Sequence, residues 1–339
     1  MLTSAATRPN LPEMSAAQLL SAIETLEVPG FSGTVVANAS LGLPALAGTA
    51  GEVSLSQLLS GSHTMKLWYA AADRQRIALI GSLNETDIFH HGADVWEWDS
   101  KSQTATHGTL PAGQASAPLS PESLTPQQLA SGALAAIDPT TAVGTGQARQ
   151  VAGRDAYELV LRPKQSGSRI GVVQVAVDGQ TKLPLAVQVF GRGDGATPAL
   201  DVSFTQLDIG QPDAVNFDFS PPKSATVKQL SLSGQSDVVQ AGQVVSALQR
   251  IGTGWTTVLE LPSGSLLGLP TSGVASGATG SFGATEGLIS RVLTPVRGSW
   301  GSGLLLDSPV LTVLVTDAGR VFLGAVDPQV LYSAVVAPK

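Results

Sequence analysis

Residues 63–110 read HTMKLWYAAADRQRIALIGSLNETDIFHHGADVWEWDSKSQTATHGTL. Side chains alternate faces along a strand, so Leu67 and Tyr69 stand against Lys66 and Trp68, and Ile77 and Leu79 against Arg76 and Ala78. In Asp94-Val95-Trp96-Glu97-Trp98-Asp99 the tryptophans share one face, while Val95, Glu97 and Asp99 share the other. Gly81, Gly92-Ala93 and Asp99-Ser100-Lys101-Ser102 supply the turns. The stretch is therefore a meander of short antiparallel strands, and the rest of the chain is organised around the surface it forms.

Composition extends that reading. Charged residues are 13% of the 339, with 37 glycines and 21 prolines, against about a quarter charged in ordinary soluble proteins. Strands and turns are favoured over long charged helices. The length favours two domains over one core. A net charge of −7, spread without runs, and the lack of a basic patch interleaved with aromatics argue against a nucleic-acid partner. Cysteine is absent, which excludes disulfides, thiol catalysis and thiolate metal sites. No apolar run approaches the roughly 18 residues that span a bilayer. The opening residues lack the apolar core of a signal peptide and taken literally indicate the cytoplasm. A low-charge, Ser/Thr/Gly-rich β chain is also what remains once a signal or anchor has been removed, and an extracytoplasmic location is the expectation adopted.

Ser15 caps a helix that runs to Leu26, with Leu19, Ile23 and Leu26 on one stripe. A strand follows from Phe31 to Asn38, running on through Leu41 to Pro44, and a short helix is expected over 55–59. After a loop at 111–126, Thr125-Pro126 starts a second helix whose stripe is Leu129, Ala133 and Ile137. Strands are expected at 146–151, 156–161, 170–177, 183–189, 199–207 and 216–219. Pro221-Pro222 cannot continue a central strand, so a boundary is placed there. Beyond it the expectation is a smaller α+β unit. Its parts are a helix at 241–248, a strand at 255–261, a Gly/Ser loop at 263–283 and a helix at 286–293. A hairpin at 310–326, turning at Asp317-Ala318-Gly319, and a helix from Pro328 complete it.

Little in the residues names a chemistry. His90 and His91 are adjacent and point to opposite faces, so they do not readily chelate one metal. A site joining His91 to Asp94 is the metal alternative, and solvated strand histidines are the reading preferred. Asp94, Glu97 and Asp99 could serve glycoside hydrolysis, which needs a pair straddling the bond; a polar outer face explains them at least as well. The G-x-S-x-G, G-x-G-x-x-G and G-x-x-x-x-G-K-[ST] patterns do not occur. No catalytic residue, cofactor or metal is assigned, and a hydrolase is the weakest reading.

The order of parts carries a resemblance. A helix precedes Phe31-Ser32-Gly33-Thr34-Val35; a meander with Asp94–Asp99 follows; after a second helix come Val151-Ala152-Gly153-Arg154-Asp155-Ala156-Tyr157-Glu158-Leu159 and Phe217-Asp218-Phe219-Ser220-Pro221-Pro222. Over about residues 11–225 this resembles the actinobacterial branch of the LolA-like superfamily, which includes lipoprotein carriers, mycobacterial glycolipid-binding lipoproteins and the RseB/MucB regulators of envelope stress. The resemblance implies an α+β, mainly antiparallel fold: a half-open β-barrel with a helical lid over an apolar cavity at 11–222, and a smaller α+β domain at 223–339 in an RseB-like placement. It also implies a secreted or envelope protein that binds a lipid or acyl chain without catalysis. The alternative is an RseB-like regulator whose partner is an anti-sigma factor, another membrane protein or a lipoprotein. Leu67, Tyr69, Leu79, Trp96, Trp98, Leu159, Val175 and Val187, with Leu19 and Ile23 from the lid, are the expected cavity liners.

Overall fold

A computed structural model describes residues 9–41, 60–110, 125–193, 197–230, 249–261 and 293–336. The helices expected at 55–59 and 241–248, the loops at 111–124 and 263–283, and all but the last residue of the helix expected at 286–293 lie outside them. Among the described residues two antiparallel-rich sheets dominate, with three α-helices.

The helices begin where their caps are written. Helix α1 is Ala16–Glu24, and α2 is Pro126–Ala135. In each the N-cap hydroxyl (Ser15, Thr125) accepts from the backbone N–H of a glutamine three residues on, whose side chain reciprocates. Pro126 occupies the first turn of α2, where its missing N–H costs nothing.

Strand β1 (Phe31–Ser40) sits in the middle of a 13-stranded sheet. On one side follow β2 (Ser60–Ala71), β3 (Arg74–Ile80), β4 (Glu85–His91), β5 (Asp94–Asp99) and β6 (Thr104–Thr109). On the other are β12 (Leu200–Ile209), β11 (Pro184–Gly191), β10 (Ile170–Asp178), β9 (Arg154–Pro163) and β7 (Thr141–Thr145), while β8 (Arg149–Val151) also pairs with β9. The two ends of this path do not pair with each other, so the sheet is open. β1 and β12 approach closely at Gly33, where a Cβ would lie 2.7 Å from the Gln206 carbonyl and 2.8 Å from the Phe204 ring. The ladder bulges at the next step, between Thr34 and Val35.

Two expectations after β12 are corrected. Residues 216–219 are not a strand: Ala214–Asn216 form a 3₁₀ turn capped by Asp213, and the backbone leaves Phe217 buried. Beyond the division expected at 222/223, residues Thr226–Leu230 form β13, which pairs in parallel with β6. The chain thus stays with the first sheet past the two prolines.

The second sheet has six strands in the order β14 (Gln249–Ile251), β15 (Val258–Leu261), β19 (Val321–Gly324), β18 (Thr312–Thr316), β17 (Gly301–Asp307) and β16 (Leu293–Gly298). The strand expected from Trp255 starts only at Val258, because Gly254–Thr256 form a 3₁₀ turn. The β16–β17 hairpin has no counterpart in the expectations: Pro295 and the glycines Gly298, Gly301 and Gly303 mask its strand pattern. Helix α3 (Pro328–Val335) buries Leu331, Ala334 and Val335 against Phe322 and Leu314.

The sheets are stitched together through the β9–β10 connection. Ser168 bridges to Val326, the Arg169 N–H donates to Ala325 O and the Asp327 N–H to Gly167 O. Arg169 pairs with Asp307 at 2.6 Å, and Arg192 pairs with Asp327. Trp255 closes the seam: its backbone N–H donates to Gln165 Oε1 at 2.8 Å and its indole N–H to Thr141 Oγ1 at 2.7 Å. Gly254 before it has φ +61°, and a Cβ there would come within 2.5 Å of Thr140 Oγ1.

One charge is fully enclosed. Asp178, 1% exposed, accepts from Arg154 Nε and Nη2 and from the Thr181 N–H and hydroxyl. Burial pushes its pKa up, but the hydrogen bonds from Arg154 and Thr181 outweigh it and hold the carboxyl below its ordinary value. A depressed carboxylate pKa stabilises the fold above the unfolded-state value, and that stability is lost as pH falls through the folded-state value. Asp178→Asn is expected to cost about 3 kcal/mol at pH 7 by removing the counter-charge of Arg154, a deficit that narrows below about pH 4. Thermal melts at pH 7 and pH 3 check this, and a deficit independent of pH rejects it. Trp255→Ala is expected to cost about 3 kcal/mol and to separate the melting of the two sheets into two calorimetric transitions; an unchanged single transition counts against the seam as described.

Candidate functional site

The registers sort the large sheet into two faces. Phe31 pairs with Tyr69, Gly33 with Leu67, Leu67 with Ile77, and Met65 with Leu79. Across β1 the same face continues through Val202, Val187, Val175 and Leu159, which are registered in turn across β12, β11, β10 and β9. This apolar face meets α2, which lies over β11 and β12, and α1, which lies against β7. Leu19 of α1 and Ala130 of α2 are fully buried in the resulting core.

Eight of the ten expected liners belong to this helix-covered side. Leu159, Val175, Val187 and Leu19 are at most 1% exposed and packed among their neighbours, so they hold the lid on the sheet and face no open space. Leu67 is buried, and Tyr69, Leu79 and Ile23 are half-buried at the margin of the core. Trp96 and Trp98 do not join them. Trp96 is registered with Phe89, and Trp98 with Asp87, which puts both on the opposite face with Arg76, Trp68 and Lys66. The alternation was legible in the sequence, but which face the helices would cover was not.

At the β2–β3 end of the helix-covered side a groove of about 230 Å³ is left open. Phe31, Leu67, Tyr69 and Ile77 form its apolar wall, Val28 and the first turn of α2 at Thr125, Gln127 and Gln128 one rim, and Gln75 and Arg76 a second polar margin. Phe31 stacks on Tyr69 at 5.5 Å and meets Phe204 edge-on at 5.8 Å, so the aromatic wall is rigid. Burial, and then the nearby charge of Asp73, push the Tyr69 phenol up, keeping it a hydrogen-bond donor at neutral pH. Gln127 donates to Pro184 O, which fixes α2 over the sheet. Phe31, Ile77 and Val28 were not among the expected liners. Ile77 could have been found from its alternation with Leu79; Phe31 needed its non-local register with Tyr69.

The outer face is charged and aromatic. The Arg76 guanidinium lies 4.6 Å from the centres of both the Trp68 and Phe89 rings and donates to Asp87 at 2.7 Å and 2.9 Å. Burial pushes the Asp87 carboxyl up to about 6; Arg76 opposes the rise and Glu85 adds to it. Phe219 crosses this face, stacking on Phe89 at 4.7 Å and leaning on Trp96 and Trp98. Trp96 also stacks on His107 at 4.2 Å.

The chemistry of the meander's polar groups is settled by the same alternation. Asp94 and Glu97 are on opposite faces, and Asp94 is occupied by His107 Nε2 at 2.8 Å. Asp99 is buried and accepts from the Ser102 N–H, stapling the turn. His91 lies 3.0 Å from Asp218, whereas His90, expected to be solvated, is fully buried because it shares the inner face with Ile88, and its Nε2 contacts Gly92 O at 2.9 Å. Among the described residues no group of three or more histidines and carboxylates is placed to hold a metal, and no helix is long and apolar enough to cross a membrane.

No protein-family model and no curated protein matches the chain. Among solved structures it is similar to MucB in complex with the periplasmic part of MucA, at 15% identity over 94% of this chain and 97% of that one, with a TM-score of 0.45. A conserved protein from Thermus thermophilus matches at 13% identity over 63% of this chain and 99% of its own, TM-score 0.35. A LolA superfamily protein from Nitrosomonas europaea matches at 10% identity over 61% of this chain and 99% of its own, TM-score 0.24.

Proposed function

We propose that this protein is a non-catalytic, extracytoplasmic binding protein that takes up an acyl chain of a lipid or an acylated ligand between its sheet and its helices. The observation that carries the reading is the groove beside Phe31. It has an apolar aromatic wall, with polar groups at Thr125, Gln127 and Gln128 on one side and at Gln75 and Arg76 on the other. Such a surface recognises hydrocarbon by removing it from water, at about 0.8 kcal/mol per methylene, without a specific polar partner. The volume of about 230 Å³ holds part of a chain, so longer ligands require the lid to part from the sheet. Movement of α2 away from β11 and β12 would open the apolar side of the large sheet, which the resemblance implies is a half-open barrel. Leu67, Tyr69 and Leu79 would contact the chain first, and Leu159, Val175, Val187, Leu19 and Ile23 only in the opened state.

A second reading, an RseB-like regulator that captures a membrane protein, is favoured by the second sheet. A minimal carrier has no need of it, yet Trp255 and Arg169 fasten it firmly to the first.

Extraction with organic solvent, refolding and incubation with a fluorescent fatty acid is expected to show saturable uptake, followed by native mass spectrometry and fluorescence. Ile77→Trp, which fills the groove from its wall, is expected to weaken uptake at least tenfold while leaving the melting temperature within a few degrees. Protein that never carries or takes up lipid, or an Ile77→Trp variant that binds as well as the native chain, rejects the groove as the site.

A further inference from the structure

A sheet edge offers a row of unpaired backbone groups, and natural proteins blunt such edges. Among the described residues the two sheets have four edges, and three of them are blocked outright. β7 is packed against α1 and holds Trp255 through Thr141. β14 is three residues long. β16 carries Pro295 in its middle. The fourth edge is β13. It has five residues without proline, it is the last strand in the sheet order among the described residues, and Thr226, Val227, Lys228 and Gln229 are all exposed, Val227 by 50%.

We propose that the free edge of β13 is a docking site for an extended, acidic segment of another protein, which adds to the large sheet as a further strand. This surface is separate from the acyl-chain groove and does not depend on it. Main-chain hydrogen bonds supply affinity in such an addition, and alternate side chains supply selectivity.

The side chains of β13 state which partner fits. Gln229 is held to the outer face by His107 Nδ1, 3.2 Å from its Oε1, and Val227 shares that face beside Ala105, which is itself registered with Trp98. The aromatic stripe of the outer face therefore runs out to Val227, and an apolar side chain on the incoming strand extends it. Lys228 points to the other face, beside Thr106. A carboxylate directly across from Lys228 is favoured, and a cation there is opposed. Lys228 also argues against a second copy of this chain as occupant: antiparallel pairing of two β13 strands over their full length sets the two lysines opposite each other. The matching segment is thus extended, free of proline, and alternates apolar with acidic residues.

The test titrates the full chain into a fluorescent, end-capped hexapeptide alternating valine and glutamate, read by anisotropy. Comparison peptides replace glutamate with lysine, or a central valine with proline. The native chain is expected to bind the valine/glutamate peptide saturably, and at least tenfold more tightly than either comparison peptide. Lys228→Glu is exposed and expected to keep the native circular dichroism and melting temperature, while reversing the preference toward the lysine peptide. Four outcomes overturn the proposal: the native chain binds none of the peptides; the proline peptide binds as well as its parent; the preference survives Lys228→Glu; or sedimentation shows native dimers that Lys228→Glu disrupts, which assigns the edge to a second copy.

Discussion

Strand β1 pairs along its whole length with β2 on one side and β12 on the other, and the rest of the structure depends on that double pairing. It fuses two meanders, each local in sequence, into one sheet, at the cost of closing a loop from Phe31 to Ile209. Only the burial of Phe31, Val35, Ala37 and their partners repays that closure. Gly33 sits at the point of closest approach, where any side chain would strike the Gln206 carbonyl. The same pairing brings Tyr69 against Phe31 and so creates the wall of the groove.

The fused sheet has two unlike faces because each half contributes the same alternation in phase. The inner face is covered by α1 and α2 where it is most aliphatic, and among the described residues a groove remains where it turns aromatic beside β2 and β3. The outer face uses its aromatics differently. Trp68 and Phe89 flank Arg76, and Phe219 lies over Phe89, Trp96 and Trp98, so that the segment after β12 is tied across the sheet before it adds β13 to the edge. Hydrocarbon uptake and strand addition, as proposed, thus use different features of one sheet: a stretch of its apolar face and a stretch of edge backbone whose one charged residue is Lys228.

The second sheet is held both by directional polar contacts and by Val310, Trp255 and Ala325, which pack into the first core. Arg169 and Arg192 converge on Asp307 and Asp327, and the Trp255 indole reaches Thr141 at the far edge of the first sheet. Directional bonds fix the orientation, while each sheet keeps a main core of its own, one around Leu159 and Val175 and the other around Phe322 and Leu331.

By itself the sequence determined what depends on neighbours in the chain. The capping boxes at Ser15 and Thr125 set where helices start, glycine turns set the hairpins, and period-two patterning set which side chains share a face. It also put Leu67 with Tyr69, and Ile77 with Leu79, on shared faces of their strands. Tertiary structure alone decided which face the helices cover, and so sent Trp96 and Trp98 outside, because alternation defines two faces without saying which is inner. It alone brought Phe31 to Tyr69, returned residues 226–230 to the first sheet past Pro221-Pro222, and buried His90. Each of these rests on contacts between residues far apart in sequence, whose energies come from surface removed from water at assembly, and no local pattern records them.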